Sequence, residues 1–289
     1  MEQSAEHVVL EDSTAVTVEK FFASDLFAAT IRSGAYDDRI EQITDCFREL
    51  CAWKPWNQYL KCANRSCNGR MGASDILSSR GLEQPANFNL IELEAAGIIG
   101  SESVPCPKCR GSMVFFHPPE ATRDRIKSEF LKNVTGALLW DYTGRISGFV
   151  WAWLTTYQEL WANKLELAFA GRFSYAQFCS GLKRVNRTPS HRVFYIAEWG
   201  LAKRLRGTGA SEVLLEKLAE VSLYRLSEWV SSSDIVTYAA NGDRAHRAFE
   251  ALGPEYLFDD GALNIMYKPA LELLDSTEIT AAPQLSPPV

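Results

Sequence analysis

The pattern of apolar and polar positions divides much of the chain into elements. From Arg192 to Leu201 the run RVFYIAEWGL is rich in β-branched, aromatic and aliphatic residues and predicts a mostly buried strand. Ala210 to Arg225 carries Val213, Leu214, Leu218, Val221 and Leu223 at near-helical spacing, with Glu212, Glu216, Lys217 and Glu220 between them, and predicts a helix. Asp234–Ala239 reads as a short strand and Asn241–Leu252 as a helix. Glu255–Phe258 and Leu263–Tyr267 read as a closing pair of strands. Upstream, Ala121–Leu131 predicts a helix with Ile126, Phe130 and Leu131 inward. Val134–Trp140 and Ile146–Leu154 predict a hairpin across Asp141-Tyr142-Thr143-Gly144. Near the start, Phe21, Phe22, Leu26 and Ile31 suggest one helix. Ile40, Ile43, Phe47 and Leu50 suggest a second, with Cys46 and Cys51 as small core residues.

The join between the strand at 192–201 and the helix at 210–225 carries the first chemical signal. It reads Lys203-Arg204-Leu205-Arg206-Gly207-Thr208-Gly209. Two glycines allow a tight bend and close approach of a ligand. The helix start offers unpaired N–H groups and the positive end of a dipole. Strand, glycine turn and helix together make an anion site, with Lys203, Arg204 and Arg206 adding positive charge. No Lys-Ser/Thr pair follows the glycines, which excludes a Walker loop. Ala210-Ser211-Glu212 stands where a dinucleotide fingerprint needs G-x-x-G.

Arg204-x-x-Gly207-x-Gly209 resembles the acetyl-CoA loop of the GNAT acetyltransferases, Q/R-x-x-G-x-G/A. Downstream, Asn241-x-x-x-Ala245-x-x-Ala248-Phe249-x-x-Leu252-Gly253 looks like that family's N-x-x-A-x-x-x-Y/F-x-x-L-G helix. The resemblance covers about residues 120 to 268. It implies an α/β fold with a mixed, mostly antiparallel sheet flanked by helices. It also implies direct transfer of the acetyl group of acetyl-CoA to an amine, with no acyl-enzyme intermediate. Two neighbouring parallel strands, here Phe194–Leu201 and Ile235–Ala239, are expected to splay around the pantetheine arm. Backbone groups near Trp199 and Leu201, with a bulge at Gly200, are expected to meet the pantetheine amides. Arg204 and the N–H groups of Arg206, Gly207, Thr208, Gly209 and Ala210 are expected at the pyrophosphate, and Asn241 at the arm from the other strand. Glu198 stands where many members carry the acid that deprotonates the amine; the alternative is an ion pair with a nearby arginine. Phe249 replaces the usual tyrosine acid and cannot protonate the departing thiolate.

Four of the seven cysteines form two pairs, Cys62-x₄-Cys67 and Cys106-Pro107-Lys108-Cys109. Two tight turns of this kind supply the S₄ set that zinc prefers in closed structural sites. Reduced core cysteines, a disulfide and a redox C-x-x-C are the competing readings, and a disulfide is disfavoured in a reducing cytoplasm. His117 could replace one cysteine. The organisation expected is a helical N-terminal region at 1–118 with a zinc-ribbon-like module at 62–109. The acetyltransferase domain follows at 119–270, and a proline-rich disordered tail at 271–289. Between the hairpin and the strand at 192–201 lies an insertion, 155–191, with a helix candidate at Tyr157–Phe169 and a basic run from Lys183 to Arg192. It reads as a solvated loop or as a site for an acidic partner.

Composition narrows the partners. At 46% hydrophobic and 23% charged, with net charge −6, the 289-residue chain has the make-up of a soluble globular protein. Its charge gives no general pull toward nucleic acid or anionic membrane. The first residues, MEQSAEHVVLEDS, have no apolar core of a secretory signal, and the cytoplasm is the expected compartment. Three functions stay open: an N-acetyltransferase acting on a small-molecule, protein or tRNA amine; a CoA-binding sensor or scaffold; and a nucleic-acid-binding protein led by its zinc module.

Overall fold

The computed structural model describes residues 5–22, 35–51, 59–64, 66–82, 89–99, 104–115, 117–132, 134–169, 171–226, 234–240, 249–250, 253–259 and 263–269. Side chains of 35–37, 51, 222–226, 240 and 263 are not among them. The expected tail therefore lies outside the described residues, as do Leu26, Ile31, Asn241 and most of the helix expected after it.

The strands are β1 Ala5–Val9, β2 Ala15–Phe22, β3 Leu60–Cys62, β4 Arg70–Met71, β5 Met113–Phe115, β6 Thr135–Trp140, β7 Ile146–Thr156, β8 Arg192–Leu201, β9 Asp234–Ala240, β10 Glu255–Asp259 and β11 Leu263–Pro269. The helices are α1 Ala35–Cys51, α2 Ala73–Ser79, α3 Leu90–Ala95, α4 Pro119–Phe130, α5 Tyr157–Leu160, α6 Glu166–Ala168, α7 Tyr175–Arg184 and α8 Ala210–Leu226; a π-helical turn, Trp161–Leu165, joins α5 to α6. Among the described residues, eight strands form one sheet in the order β1-β2-β6-β7-β8-β9-β11-β10, antiparallel throughout except for the parallel pair β8–β9. The fold is thus mixed α/β with a mostly antiparallel sheet flanked by helices, as expected.

Alternation along each strand sends side chains to two cores. On one face, Val150, Ala152, Phe194 and Ile196 meet Leu214, Leu215 and Leu218 of α8. On the other, Phe149, Trp151, Trp153 and Tyr195 meet Ile43 and Phe47 of α1 and Ile126 and Phe130 of α4, and Tyr157, Leu160, Trp161, Leu165, Phe169, Phe178 and Leu182 join the same core. The insertion is therefore packed rather than a solvated loop. Its basic run is partly structural: Arg187 Nε and Nη2 donate to the buried Asp234 at 2.8 and 2.9 Å, and Tyr157 Oη donates to the same carboxylate at 2.8 Å.

One expectation is corrected. Phe21 and Phe22 sit on strand β2, which pairs with β6 from Thr17↔Trp140 to Phe22↔Thr135, and not on a helix. VTVEKFF alternates at period two as well as it satisfies a helical stripe, and an open sheet edge settles the choice. Strands β1 and β2 and helix α1 share the large sheet and its cores with the described elements from α4 to β11. Residues 59–115 build a second sheet, β4-β3-β5, with their own core of Leu60, Met71, Ile76, Leu90, Leu93 and Met113. That unit is inserted between α1 and α4.

Candidate active site and cysteine centre

Strands β8 and β9 pair only over Val193↔Asp234, Phe194↔Ile235 and Tyr195↔Val236. Beyond Tyr195, β8 keeps its ladder to β7 as far as Gly148↔Leu201, and β9 keeps its ladder to β11 as far as Leu263↔Ala240. Among the described residues, the facing edges of Ile196–Leu201 and Thr237–Ala240 have no ladder partner. Buried main-chain groups need partners, so two edges held apart in mid-sheet make a ready slot for an extended amide-bearing ligand. Trp199 and Leu201 both lie on this stretch. Its irregularity falls at Ala197, between the pairs Ala152↔Ile196 and Trp151↔Glu198, and not at Gly200. Gly200 instead allows close packing: a Cβ there would stand 2.4 Å from Leu50 Cδ1.

The chain leaves the open end of β8 through a 3₁₀ turn, Lys203–Leu205, into the glycine loop. Gly207 and Gly209 have φ of +78° and +80°, the left-handed region that glycine enters without strain. Among the described residues, no backbone acceptor is recorded for the N–H groups of residues 207–212; the first bond of α8 at this end is Val213 N–H to Gly209 O, 3.1 Å. The side chains do not follow the sequence expectation. Arg204 is held by Asp141 and Ser147, and Arg206 Nε donates to Leu201 O at 3.0 Å. Thr208 Oγ1 donates to Leu205 O at 2.8 Å, and Ala210 is buried. The attraction for anions here is chiefly main-chain.

Glu198 lies beside the opening, on the face covered by α1 and α4. Arg125 of α4 pairs with its Oε1 at 3.1 Å, and the side chain remains 23% exposed. Burial pushes its carboxyl up to about 7, while Arg125 pulls the other way and Glu129 adds to the rise. Glu198 is thus ion-paired, and its carboxyl is raised toward neutrality by desolvation. Sequence reasoning missed its surroundings. Glu129 is buried, accepts from Trp151 Nε1 at 3.1 Å and pairs with Lys164 at 3.1 Å. Tyr195 and Tyr238 stack with ring centroids 6.2 Å apart. The one legible signal was Glu129 itself, a charge at i+3 from Ile126 and next to Phe130 on the inward face of α4. Phe249 is fully buried in the core beneath α8, and the nearby Tyr256 donates its hydroxyl to Glu250 at 2.9 Å.

The second cluster is the cysteine quartet. The Sγ atoms of Cys62, Cys67, Cys106 and Cys109 all lie within 4.8 Å of one another, with Cys62–Cys109 at 3.4 Å and Cys67–Cys106 at 3.7 Å. A tetrahedral S₄ zinc site with bonds of about 2.3 Å places sulfurs about 3.8 Å apart, so the four residues fit the ion. Backbone N–H groups of Cys109 and Lys108 hold the Cys106 thiol down to about 7. Gly69 permits the close approach, since a Cβ there would stand 2.4 Å from Cys106 Sγ. His117 is not in the quartet. It sits edge-on to Phe47 with centroids 5.4 Å apart.

No known protein family matches the chain by sequence, and no curated protein matches it. Solved structures with related backbones include the spermidine/spermine N-acetyltransferase SpeG from Vibrio cholerae, at 12% identity and TM-score 0.34 over 57% of this chain and 81% of that one. Another is the GNAT domain of S. lividans PAT, at 12% identity and TM-score 0.39 over 91% and 96%. A third is arylalkylamine N-acetyltransferase 2 from Aedes aegypti, at 18% identity and TM-score 0.36 over 51% and 78%. Likeness this slight leaves the function to be argued from the chain's own residues.

Proposed function

We propose that this protein is an N-acetyltransferase of the GNAT kind, moving the acetyl group of acetyl-CoA to an amine acceptor in the cytoplasm. The observation that carries the reading is the opening between β8 and β9, which has a donor-rich glycine loop at its end and Glu198 at its side. The free strand edges take the pantetheine amides, with Trp199 and Leu201 on the β8 side and Asn241, outside the described residues, on the other. The N–H groups from Gly207 to Ala210 take the pyrophosphate. The amine nitrogen attacks the thioester carbonyl, its proton passes to Glu198, and the C–S bond breaks to release the thiolate. Water supplies the thiolate's proton, because Phe249 has no hydroxyl. Cys62, Cys67, Cys106 and Cys109 would hold a structural zinc ion, which would keep the inserted module folded and take no part in the chemistry.

The experiment is acetyl-CoA titration followed by thermal melting, then acetyl transfer to polyamines, aminoglycosides, peptides and tRNA. A rise in melting temperature together with transfer supports the reading. Binding without transfer to any acceptor would favour a CoA sensor, the reading that the buried Phe249 also fits. No effect of acetyl-CoA on melting would refute both.

A further inference from the structure

We infer that Glu11, at the tip of the β1–β2 hairpin, is an intramolecular check on acetyl-CoA binding: its carboxylate stands against the anion loop and opposes the arriving diphosphate. The inference rests on the acetyl-CoA reading of that loop. Glu11 N–H donates to Thr208 O at 3.2 Å, so the hairpin tip is bonded directly to the loop. Its side chain lies over Gly209: a Cβ there would stand 3.2 Å from Glu11 Cγ and Cδ and 3.4 Å from Oε1. The acid thus stands beside Gly209, in the middle of the stretch 207–212 whose N–H groups attract anions.

The hairpin is held in this pose along its length. Glu6 of β1 pairs with the buried Lys217 of α8 at 3.0 Å, and Lys20 of β2 pairs with Glu220 of α8 at 2.9 Å. Leu10, just before the tip, is buried in the core under α8. The turn is closed by Ser13 N–H to Leu10 O at 2.9 Å, with Ser13 at φ +67°. The bond to Thr208 uses only the main chain of Glu11. The carboxylate is therefore a separable, negative feature of the anion site. A like charge a few ångströms from a bound diphosphate lowers its affinity, and a tip that must shift lowers it further by the fraction of time the shift takes.

Acetyl-CoA dissociation constants of wild type, Glu11→Gln and Glu11→Ala, measured by calorimetry at 50 mM and 500 mM NaCl, test this. Glu11→Gln keeps the size of the side chain and the main-chain bond and removes the charge. It is expected to bind acetyl-CoA about three- to thirty-fold more tightly at low salt, with a smaller gain at high salt. Glu11→Ala is expected to match or exceed it. Inorganic pyrophosphate, as a minimal probe, should show the same order. Ligand-free melting temperatures of the three proteins should agree, which excludes a change in folding. Equal or weaker binding by Glu11→Gln overturns the inference and leaves the acetyl-CoA reading intact. Absence of binding by all three proteins removes both.

Discussion

The eight-stranded sheet carries apolar side chains on both faces, and each face has its own helical cover. The three-stranded sheet has strands of two and three residues, and on β3 only Leu60 and Cys62 turn inward. The first can stand on burial. The second has a core too small for that, two members of which are the metal-ligand candidates Cys62 and Cys106. The difference explains why the polar chemistry divides as it does. A large, well-packed sheet tolerates an unpaired opening and a desolvated Glu198, because its stability lies elsewhere. Small modules commonly need a metal or disulfides to supplement a limited core, and the zinc proposed at the four sulfurs would serve that end here.

Four experiments press on that contrast, the strongest first. Removing zinc with a chelator, or substituting Cys106→Ser, should unfold residues 60–115, since structural zinc contributes apparent free energies of about 10–16 kcal/mol to small modules. Hydrogen exchange should show loss of protection there, while β6 to β8 stay protected and acetyl-CoA still raises their stability. Metal analysis finding no zinc in fresh, reduced protein would end the comparison.

Glu198→Gln should lower turnover by about 10²- to 10⁴-fold with acetyl-CoA binding unchanged. The carboxyl must be ionised to accept the proton, and burial raises it to about 7. Wild-type kcat/KM should therefore climb with pH up to about 7, and the variant should lack that limb. Superimposable profiles would remove Glu198 from the mechanism.

Gly207→Asp places a side chain at φ +78° and a charge on the anion loop. The backbone cost is about 1–2 kcal/mol, and the acetyl-CoA response should vanish. A variant that melts a few degrees lower yet keeps the full response would place the ligand elsewhere.

The smallest effect concerns the joint between the two regions. Arg48 Nε donates to His117 O at 3.2 Å, Arg48 pairs with Glu94 at 2.9 Å, and the His117 ring meets Phe47. Burial first, then the charges of Arg125, Lys61 and Arg48, hold the imidazole down from 6.5 to about 4. The folded ring stays neutral where the unfolded one takes a proton. Its contribution is present above about pH 6.5 and is lost as pH falls toward about 4. Melting temperature should decline across that window, and His117→Phe should make the decline shallower. An identical pH dependence in the variant would assign the acid sensitivity to other groups.

Local pattern was enough for much of this protein. Strand β8 begins and ends where RVFYIAEWGL does, and helix α8 follows at Ala210 after the two glycines, because continuous apolar runs and left-handed turn residues are properties of a few neighbours. The spacing of Cys62, Cys67, Cys106 and Cys109 likewise announced a shared centre. Phe21 and Phe22 were misread because a short apolar run satisfies both periods, and only the free edge of β6 selects the strand. What the chain alone could not decide were the meetings of distant side chains. Arg125 comes to Glu198 across 73 positions, and Glu11 to Gly209 across almost 200. Asp141 draws Arg204 toward itself, and Asp234 gathers Tyr157 and Arg187. Such pairs leave no periodicity in the sequence. They exist only once the sheet has closed and burial has fixed which charges must face one another.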